Sequence, residues 1–268
     1  MNKKELVEQI FAKESLLCVG LDTDINKLPL HFSKDIMGVI EFNKAIIEAT
    51  KDYAIAYKIN TAFYEQYGAE GWVCMEETLR NIPQNCFTIA DAKRGDIGNT
   101  SSMYAKAFFE TLKFDSITVA PYMGEDSLRP FLEFKDKWVI CLGITSNEGS
   151  KDFQFLEYNK KKLYENVIEK VAKWGNHEQL MFVTGATQSS VLKSIRELVP
   201  NYFFLVPGVG AQGGTIKEVC QNAVTDFGGL LINASRSVIY ASNKEDFKEM
   251  AAKEAQKLQL ECLPHLRF

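Results

Sequence analysis

Charged residues of both signs are concentrated in one short segment, Asp91-Ala92-Lys93-Arg94-Gly95-Asp96. Asp91 and Lys93 are two residues apart, a spacing that directs both side chains to one side of a strand, and Asp96 follows just beyond. The pattern therefore predicts a carboxylate, an ammonium group and a second carboxylate close together. A lysine held between carboxylates stays protonated and can give a proton to a developing carbanion. An exposed loop of salt bridges would show the same six-residue spacing, so the spacing alone leaves both interpretations open.

Two later segments have side chains and backbone suited to phosphate. Residues 207–214 read Pro-Gly-Val-Gly-Ala-Gln-Gly-Gly, and glycines let backbone N–H groups come close to an anion. Arg236 follows Asn-Ala-Ser and can give paired hydrogen bonds to phosphate oxygens. These features predict a phosphate site, with a flexible turn beside a surface arginine as the alternative.

A third polar loop, residues 144–150, reads Ile-Thr-Ser-Asn-Glu-Gly-Ser. Its hydroxyl and backbone groups could recognise an amide-like heterocycle. Hydroxyl-rich loops also occur as plain turns, so this loop is a weaker candidate when taken alone.

The elements that must position these residues alternate along the whole chain. Segments with apolar residues at three- and four-residue spacing, such as 36–50, 158–174, 189–198 and 244–258, predict helices. They lie among eight short apolar runs that predict strands: 16–22, 54–59, 86–91, 116–120, 137–143, 179–184, 202–206 and 228–233.

This alternation predicts an α/β protein, a (β/α)8 TIM barrel formed as a single catalytic domain over residues 1–268. A doubly wound open sheet remains the alternative, because periodicity does not reveal whether a sheet closes. In a barrel, functional groups lie at the carboxyl ends of the strands. Asp22, Lys58 and the segment 91–96 all stand at such positions.

Composition narrows the classes of partner and site. A net charge of −4 and a pI near 5.6 argue against a nucleic acid or an anionic membrane, so an anionic ligand would need a local cationic pocket. No apolar stretch reaches the roughly 18 to 20 residues that span a bilayer, and the charged start does not resemble a signal peptide. We therefore expect a cytoplasmic protein. Six cysteines without a CxxC pair and three dispersed histidines predict no metal site.

The ten residues from Asp91 to Thr100, Asp-Ala-Lys-Arg-Gly-Asp-Ile-Gly-Asn-Thr, resemble the signature of the orotidine 5′-monophosphate decarboxylase family, specifically its longer bacterial branch. The Gly-Ala-Gln-Gly-Gly loop at 210–214 supports the same choice. Sugar-phosphate decarboxylases and hexulose-phosphate synthases share the shorter D-x-K-x-x-D pattern but generally lack its continuation.

The resemblance implies decarboxylation of orotidine 5′-monophosphate to uridine 5′-monophosphate, the last step of de novo pyrimidine nucleotide synthesis, with no cofactor. Lys93 would deliver the proton that replaces carbon dioxide at C6, and Lys58, Asp91 and Asp96 would complete the charged network. In the family, the residues at the positions of Asp96 and Thr100 reach into the neighbouring subunit's site. A homodimer is therefore implied.

The resemblance also implies which residues bind the substrate. Asp22 and Lys58 would contact the ribose, and Ser146 the pyrimidine. Gln212 and Arg236, with the Ser235 N–H, would bind the 5′-phosphate. Pro207 and Val209 would pack against the base.

Two other functions remain open on the residues themselves. One is another barrel enzyme acting on a sugar phosphate, a decarboxylase or aldolase that works through a metal-held enediolate or a lysine Schiff base. The other is a non-catalytic protein that binds a phosphorylated ligand through Gln212 and Arg236. The clustered charges of Lys58 and the 91–96 segment favour an enzyme over a binding protein, because binding phosphate does not need them.

Overall fold

Eight parallel strands close into a barrel in the computed structural model, which describes residues 1–185, 189–208 and 214–266. Each strand pairs with the next one along the chain, and the last pairs with the first. The closed sheet confirms the predicted (β/α)8 barrel and excludes the open sheet. The strands are β1 Leu17–Gly20, β2 Ala56–Asn60, β3 Phe87–Arg94, β4 Ser116–Val119, β5 Trp138–Ile144, β6 Leu180–Thr184, β7 Phe203–Pro207 and β8 Leu230–Ala234.

Helices cover the outside of the barrel. The α-helices are α1 Lys3–Ala12, α2 Ile36–Thr50, α3 Ala62–Glu65, α4 Gly68–Arg80, α5 Gly98–Lys106, α6 Glu125–Leu132, α7 Leu163–Trp174, α8 Ser189–Leu198, α9 Ile216–Ala223, α10 Arg236–Ile239 and α11 Phe247–Cys262. A π-helical turn, Ala107–Thr111, continues α5, and 3-10 turns occupy Ile25–Lys27, Glu148–Asp152 and Leu263–His265. In the described ranges, no helix combines the length and apolar character that a membrane span requires.

The barrel strands are buried on both faces, which explains their continuous apolar runs. Every residue of β1, β4, β6 and β8 is buried, without the alternation of a half-exposed sheet. A parallel sheet under a layer of helices requires this composition. All six cysteines are buried free thiols.

The predicted helix 158–174 is wrong in its first five residues, which form a hairpin instead. Glu157–Tyr158 pairs antiparallel with Lys161–Lys162, and α7 begins only at Leu163. Asn159 and Lys160 have φ angles of 53° and 62°, the left-handed conformation of a tight two-residue hairpin turn. The predicted helix 244–258 is displaced toward the carboxyl end and is α11.

Candidate active site

Lys58 is a buried cation between two carboxylates. It lies on β2, is 4% exposed, and its Nζ is 3.1 Å from Asp22 Oδ1 and 3.2 Å from Asp91 Oδ2. Burial acts to lower the pKa of Lys58, but the charges of Asp22 and Asp91 outweigh it and raise that pKa above its usual value. The side chain therefore stays an ammonium group inside the barrel.

Asp91 accepts hydrogen bonds from two lysines and a hydroxyl. Its Oδ1 is 2.6 Å from Lys93 Nζ and 3.0 Å from Thr118 Oγ1. Burial alone would raise the pKa of Asp91, but Lys58 and Lys93 lower it to about 2. Asp22, Lys58, Asp91 and Lys93 thus form a row of alternating charge, which we call the charged row.

Lys93 is held in an unusual backbone conformation at the outer end of the charged row. Its φ is 48°, in the left-handed region, which costs a non-glycine residue on the order of 1 kcal/mol. The Lys93 N–H donates to Thr118 Oγ1 at 2.8 Å, and the register of β3 on β4 shifts between Ala90 and Arg94. Such irregularities re-aim a side chain. The side chain of Lys93 is 49% exposed, so its ammonium group is open to a ligand and to solvent.

A cavity of about 210 Å³ opens at the carboxyl ends of the strands beside the charged row. The cavity contains both cationic and anionic groups, as a site for a charged, phosphorylated ligand requires. Its lining comprises Asp22, Lys58, Asn60, Asp91, Pro207, Gly208, Asn233, Ala234, Ser235, Arg236 and Ser237.

Six of the residues predicted from the sequence line this cavity: Asp22, Lys58, Asp91, Pro207, Ser235 and Arg236. Lys93 adjoins it through its ion pair with Asp91. Ser146 is half-buried just after β5, and Thr100 is exposed in the first turn of α5. Val209 and Gln212 lie outside the described residues.

Asp96 does not join Lys93 within one chain, contrary to the expectation from the D-x-K-x-x-D spacing. The Asp96 carboxylate instead accepts a hydrogen bond from the Ile97 N–H at 2.8 Å, and its carbonyl accepts one from Ser101 Oγ at 2.6 Å. The chain turns away from β3 after Arg94, so the spacing rule for a strand no longer applies. Only Asp91 forms an ion pair with Lys93 among the described residues.

Three polar residues of the site were not predicted from the sequence. Asn60 ends β2 and Asn233 lies in β8, and both line the cavity, while Thr118 on β4 joins Asp91 to the Lys93 backbone. Asn60 is two residues after Lys58, the same spacing that indicated Lys93 from Asp91. Extending that rule to every strand end would have found Asn60.

A glycine on β1 makes room for one wall of the cavity. A Cβ at Gly20 would lie 1.9 Å from Ser235 Oγ, so only glycine lets Ser235 approach β1 this closely. Ser235 Oγ also accepts a hydrogen bond from Asn233 Nδ2 at 3.2 Å.

The described ranges contain no cluster of three histidine, cysteine or acidic side chains arranged to hold a metal ion.

The chain resembles known proteins over nearly its whole length. Residues 15–250 match the model of the orotidine 5′-phosphate decarboxylase / HUMPS family. The chain belongs to this family. It is 55% identical to the orotidine 5′-phosphate decarboxylase of Phocaeicola vulgatus over 263 residues, covering 97% of each chain. The corresponding protein of Flavobacterium johnsoniae is 54% identical over 264 residues, again covering 97% of each.

The fold of this chain also resembles that of solved structures of orotidine 5′-monophosphate decarboxylases. The OMP decarboxylase of Leishmania donovani superposes with a TM-score of 0.83 at 38% identity, covering 97% of this chain and 100% of that one. The likeness therefore extends over the whole barrel and is not confined to the charged segment.

Proposed function

We propose that this protein converts orotidine 5′-monophosphate to uridine 5′-monophosphate and carbon dioxide, the last step of pyrimidine nucleotide synthesis, as a single-domain cytoplasmic enzyme. The observation that carries the proposal is the charged row beside a cavity that Arg236 also lines. The names of the relatives, at 55% and 54% identity, support the same reaction. A protein that only bound phosphate would not need a buried cation between two carboxylates.

The chemistry asks for electrostatic stabilisation at one carbon. When the bond from C6 to the carboxylate breaks, its electron pair stays on C6 in the plane of the ring, where π-delocalisation gives little help. A fixed cation beside that carbon stabilises the developing negative charge. Lys93 Nζ supplies this field and then transfers its proton to C6, while carbon dioxide leaves. Solvent reprotonates Lys93, whose side chain is half exposed.

The rest of the charged row keeps Lys93 charged and in place. Asp91 holds its ammonium group at 2.6 Å, and Thr118 holds its backbone. Lys58 keeps Asp91 ionised despite its burial. In this proposal the field is in place before substrate arrives, so the protein does not reorganise during the reaction.

Substrate groups far from C6 provide binding energy and orientation. Arg236 and Gln212, with the Ser235 N–H, bind the 5′-phosphate, and Asp22 and Lys58 contact the ribose. Ser146 contacts the pyrimidine, and Pro207 and Val209 pack against it. The reaction proceeds without metal or organic cofactor.

We also propose a homodimer in which Asp96 and Thr100 complete the partner's site. The Asp96 carboxylate forms no ion pair with Lys93 of its own chain, and exposed apolar side chains lie near it: Ile97, Met103, Met123 and Tyr122, which is 97% exposed. A mixing experiment tests this. Equal amounts of Lys93→Ala and Asp96→Asn subunits should regain about a quarter of the activity of the unmutated enzyme, because half of the dimers are hybrids with one intact site. No recovery after subunit exchange would contradict a shared site.

The reaction itself is tested by following the ultraviolet spectrum of orotidine 5′-monophosphate with purified protein in excess chelator. We expect conversion to uridine 5′-monophosphate, with no inactivation by borohydride in the presence of substrate. Activity lost on chelation would favour a metal-held enediolate, and borohydride inactivation a Schiff base. Binding without turnover would favour a phospho-ligand binding protein.

A further inference from the structure

One glutamine side chain holds the loop that follows β5. Gln154 Oε1 accepts a hydrogen bond from the Thr145 N–H at 2.9 Å, and Gln154 Nε2 donates one to Thr145 Oγ1 at 2.8 Å. Thr145 Oγ1 in turn donates to Asn147 Oδ1 at 2.6 Å. Because one planar carboxamide bonds both the backbone and the side chain of Thr145, it fixes the position and the orientation of that residue.

Gln154 is itself anchored at both backbone groups. Its N–H donates to the Ser150 carbonyl at 2.8 Å, and its carbonyl accepts from the Tyr164 N–H at 3.0 Å. Ser150 lies in the 3-10 turn Glu148–Asp152, and Tyr164 is a buried residue in the first turn of α7. The segment before the hairpin is thus tied to the first turn of α7.

The opposite side of the same loop is bounded by the end of β6. The Gly185 N–H donates to the Ile144 carbonyl at 2.8 Å, and a Cβ at Gly185 would lie 2.7 Å from the Ser146 nitrogen. The backbone of Ser146 is therefore confined between Gly185 and the Thr145 that Gln154 holds. A loss of the Gln154 bonds would release one of these two sides.

We propose that Gln154 is a positioning residue for pyrimidine recognition, acting through Thr145 to hold Ser146 against the base. This inference rests on the proposed function, in which Ser146 contacts the pyrimidine. Gln154 belongs to the loop after β5, whereas the phosphate site is assigned to the loops after β7 and β8. Its removal should therefore weaken contacts with the base and leave contacts with ribose phosphate intact.

The test compares two ligands that differ only in the base. Uridine 5′-monophosphate and ribose 5-phosphate are titrated calorimetrically into the full-length protein and its Gln154→Met variant, which keeps the length of the side chain and loses both bonds. We expect about tenfold weaker binding of the nucleotide, the loss expected for about one net hydrogen bond to the base, and ribose 5-phosphate affinity within about twofold of that of the unmutated protein. A nucleotide-to-sugar affinity ratio equal to that of the unmutated protein, whether neither affinity changes or both fall equally, would overturn the assignment.

Gln179→Met is the matched control. Gln179 is another half-buried glutamine, whose Nε2 donates to the Leu132 carbonyl at 3.0 Å just before β6, at the other end of the barrel. It should lower stability to urea about as much as Gln154→Met and leave the nucleotide-to-sugar affinity ratio unchanged.

If Gln154→Met does not fold, Thr145→Val is a milder substitution that removes only the hydroxyl. It should shift the affinity ratio in the same direction by a smaller factor, and an unchanged ratio in Thr145→Val would also overturn the inference. Unmutated protein that binds ribose 5-phosphate but not the nucleotide would instead refute the proposed function.

Discussion

Replacing Asp91 with asparagine should change how the stability of the protein depends on pH. The pKa of Asp91 is about 2 in the folded protein, and an unfolded aspartate titrates near pH ~3.9. This difference of roughly two pKa units corresponds to roughly 2 to 3 kcal/mol. Because the folded pKa is the lower one, the stabilisation is fully present above about pH 5 and is lost as the pH falls toward 2. About half of it should be gone by pH 3.

The assay is urea unfolding at a series of pH values from 7 to 3. Between these limits the unmutated protein should lose about 1 kcal/mol more of its unfolding free energy than Asp91→Asn does, because the variant lacks the titrating group. Asp136→Asn is the control, since Asp136 is exposed, forms none of the ion pairs in the described part of the chain, and has a φ of 58° that asparagine tolerates. Parallel curves for the unmutated protein and Asp91→Asn would refute this account of Asp91.

Three further substitutions test other parts of the site. Lys58→Met leaves Asp22 and Asp91 without their shared buried cation and should lower the unfolding free energy in urea by about 3 to 5 kcal/mol. The control, Lys44→Met at an exposed position, should change that free energy by less than about 0.5 kcal/mol. Similar effects of the two substitutions would contradict the role of Lys58. Thr118→Val removes the hydroxyl that joins Asp91 to Lys93 and should lower kcat by on the order of tenfold, whereas Thr118→Ser, which keeps the hydroxyl, should recover it. Full activity of the Thr118→Val variant would show that the hydroxyl is not needed. Arg236→Ala should weaken the binding of uridine 5′-monophosphate by about 10- to 100-fold in calorimetry and leave the binding of uridine unchanged. Equal losses of affinity for the two ligands would show that Arg236 does not bind the phosphate.

The barrel was predictable because each of its elements leaves a local signal. Helix α2 has the predicted bounds, 36–50, since apolar residues at helical spacing run over its whole length. The hairpin before α7 was missed because its turn depends on the left-handed conformations of Asn159 and Lys160, which the spacing of apolar residues does not reveal. Closure of the sheet is non-local, and only the pairing of β1 with β8 establishes it.

The site was predictable where spacing along one strand determines it. Asp91 and Lys93 meet as the two-residue spacing requires. Thr118 is 25 residues from Lys93 along the chain, and nothing in the sequence links the two until β3 and β4 pair. The partners of Lys58 lie on or just after the two strands that flank β2, so its position between two carboxylates follows from the pairing of β2 with β1 and with β3.

The most direct test of the central claim is the turnover of orotidine 5′-monophosphate by Lys93→Ala, measured with the binding of uridine 5′-monophosphate to the same preparation. Our account predicts that decarboxylation falls below detection while the product binds with nearly unchanged affinity, because Lys93 acts on C6 and the phosphate and ribose contacts remain. Turnover at the rate of the unmutated protein would show that the ammonium group of Lys93 is not the proton donor.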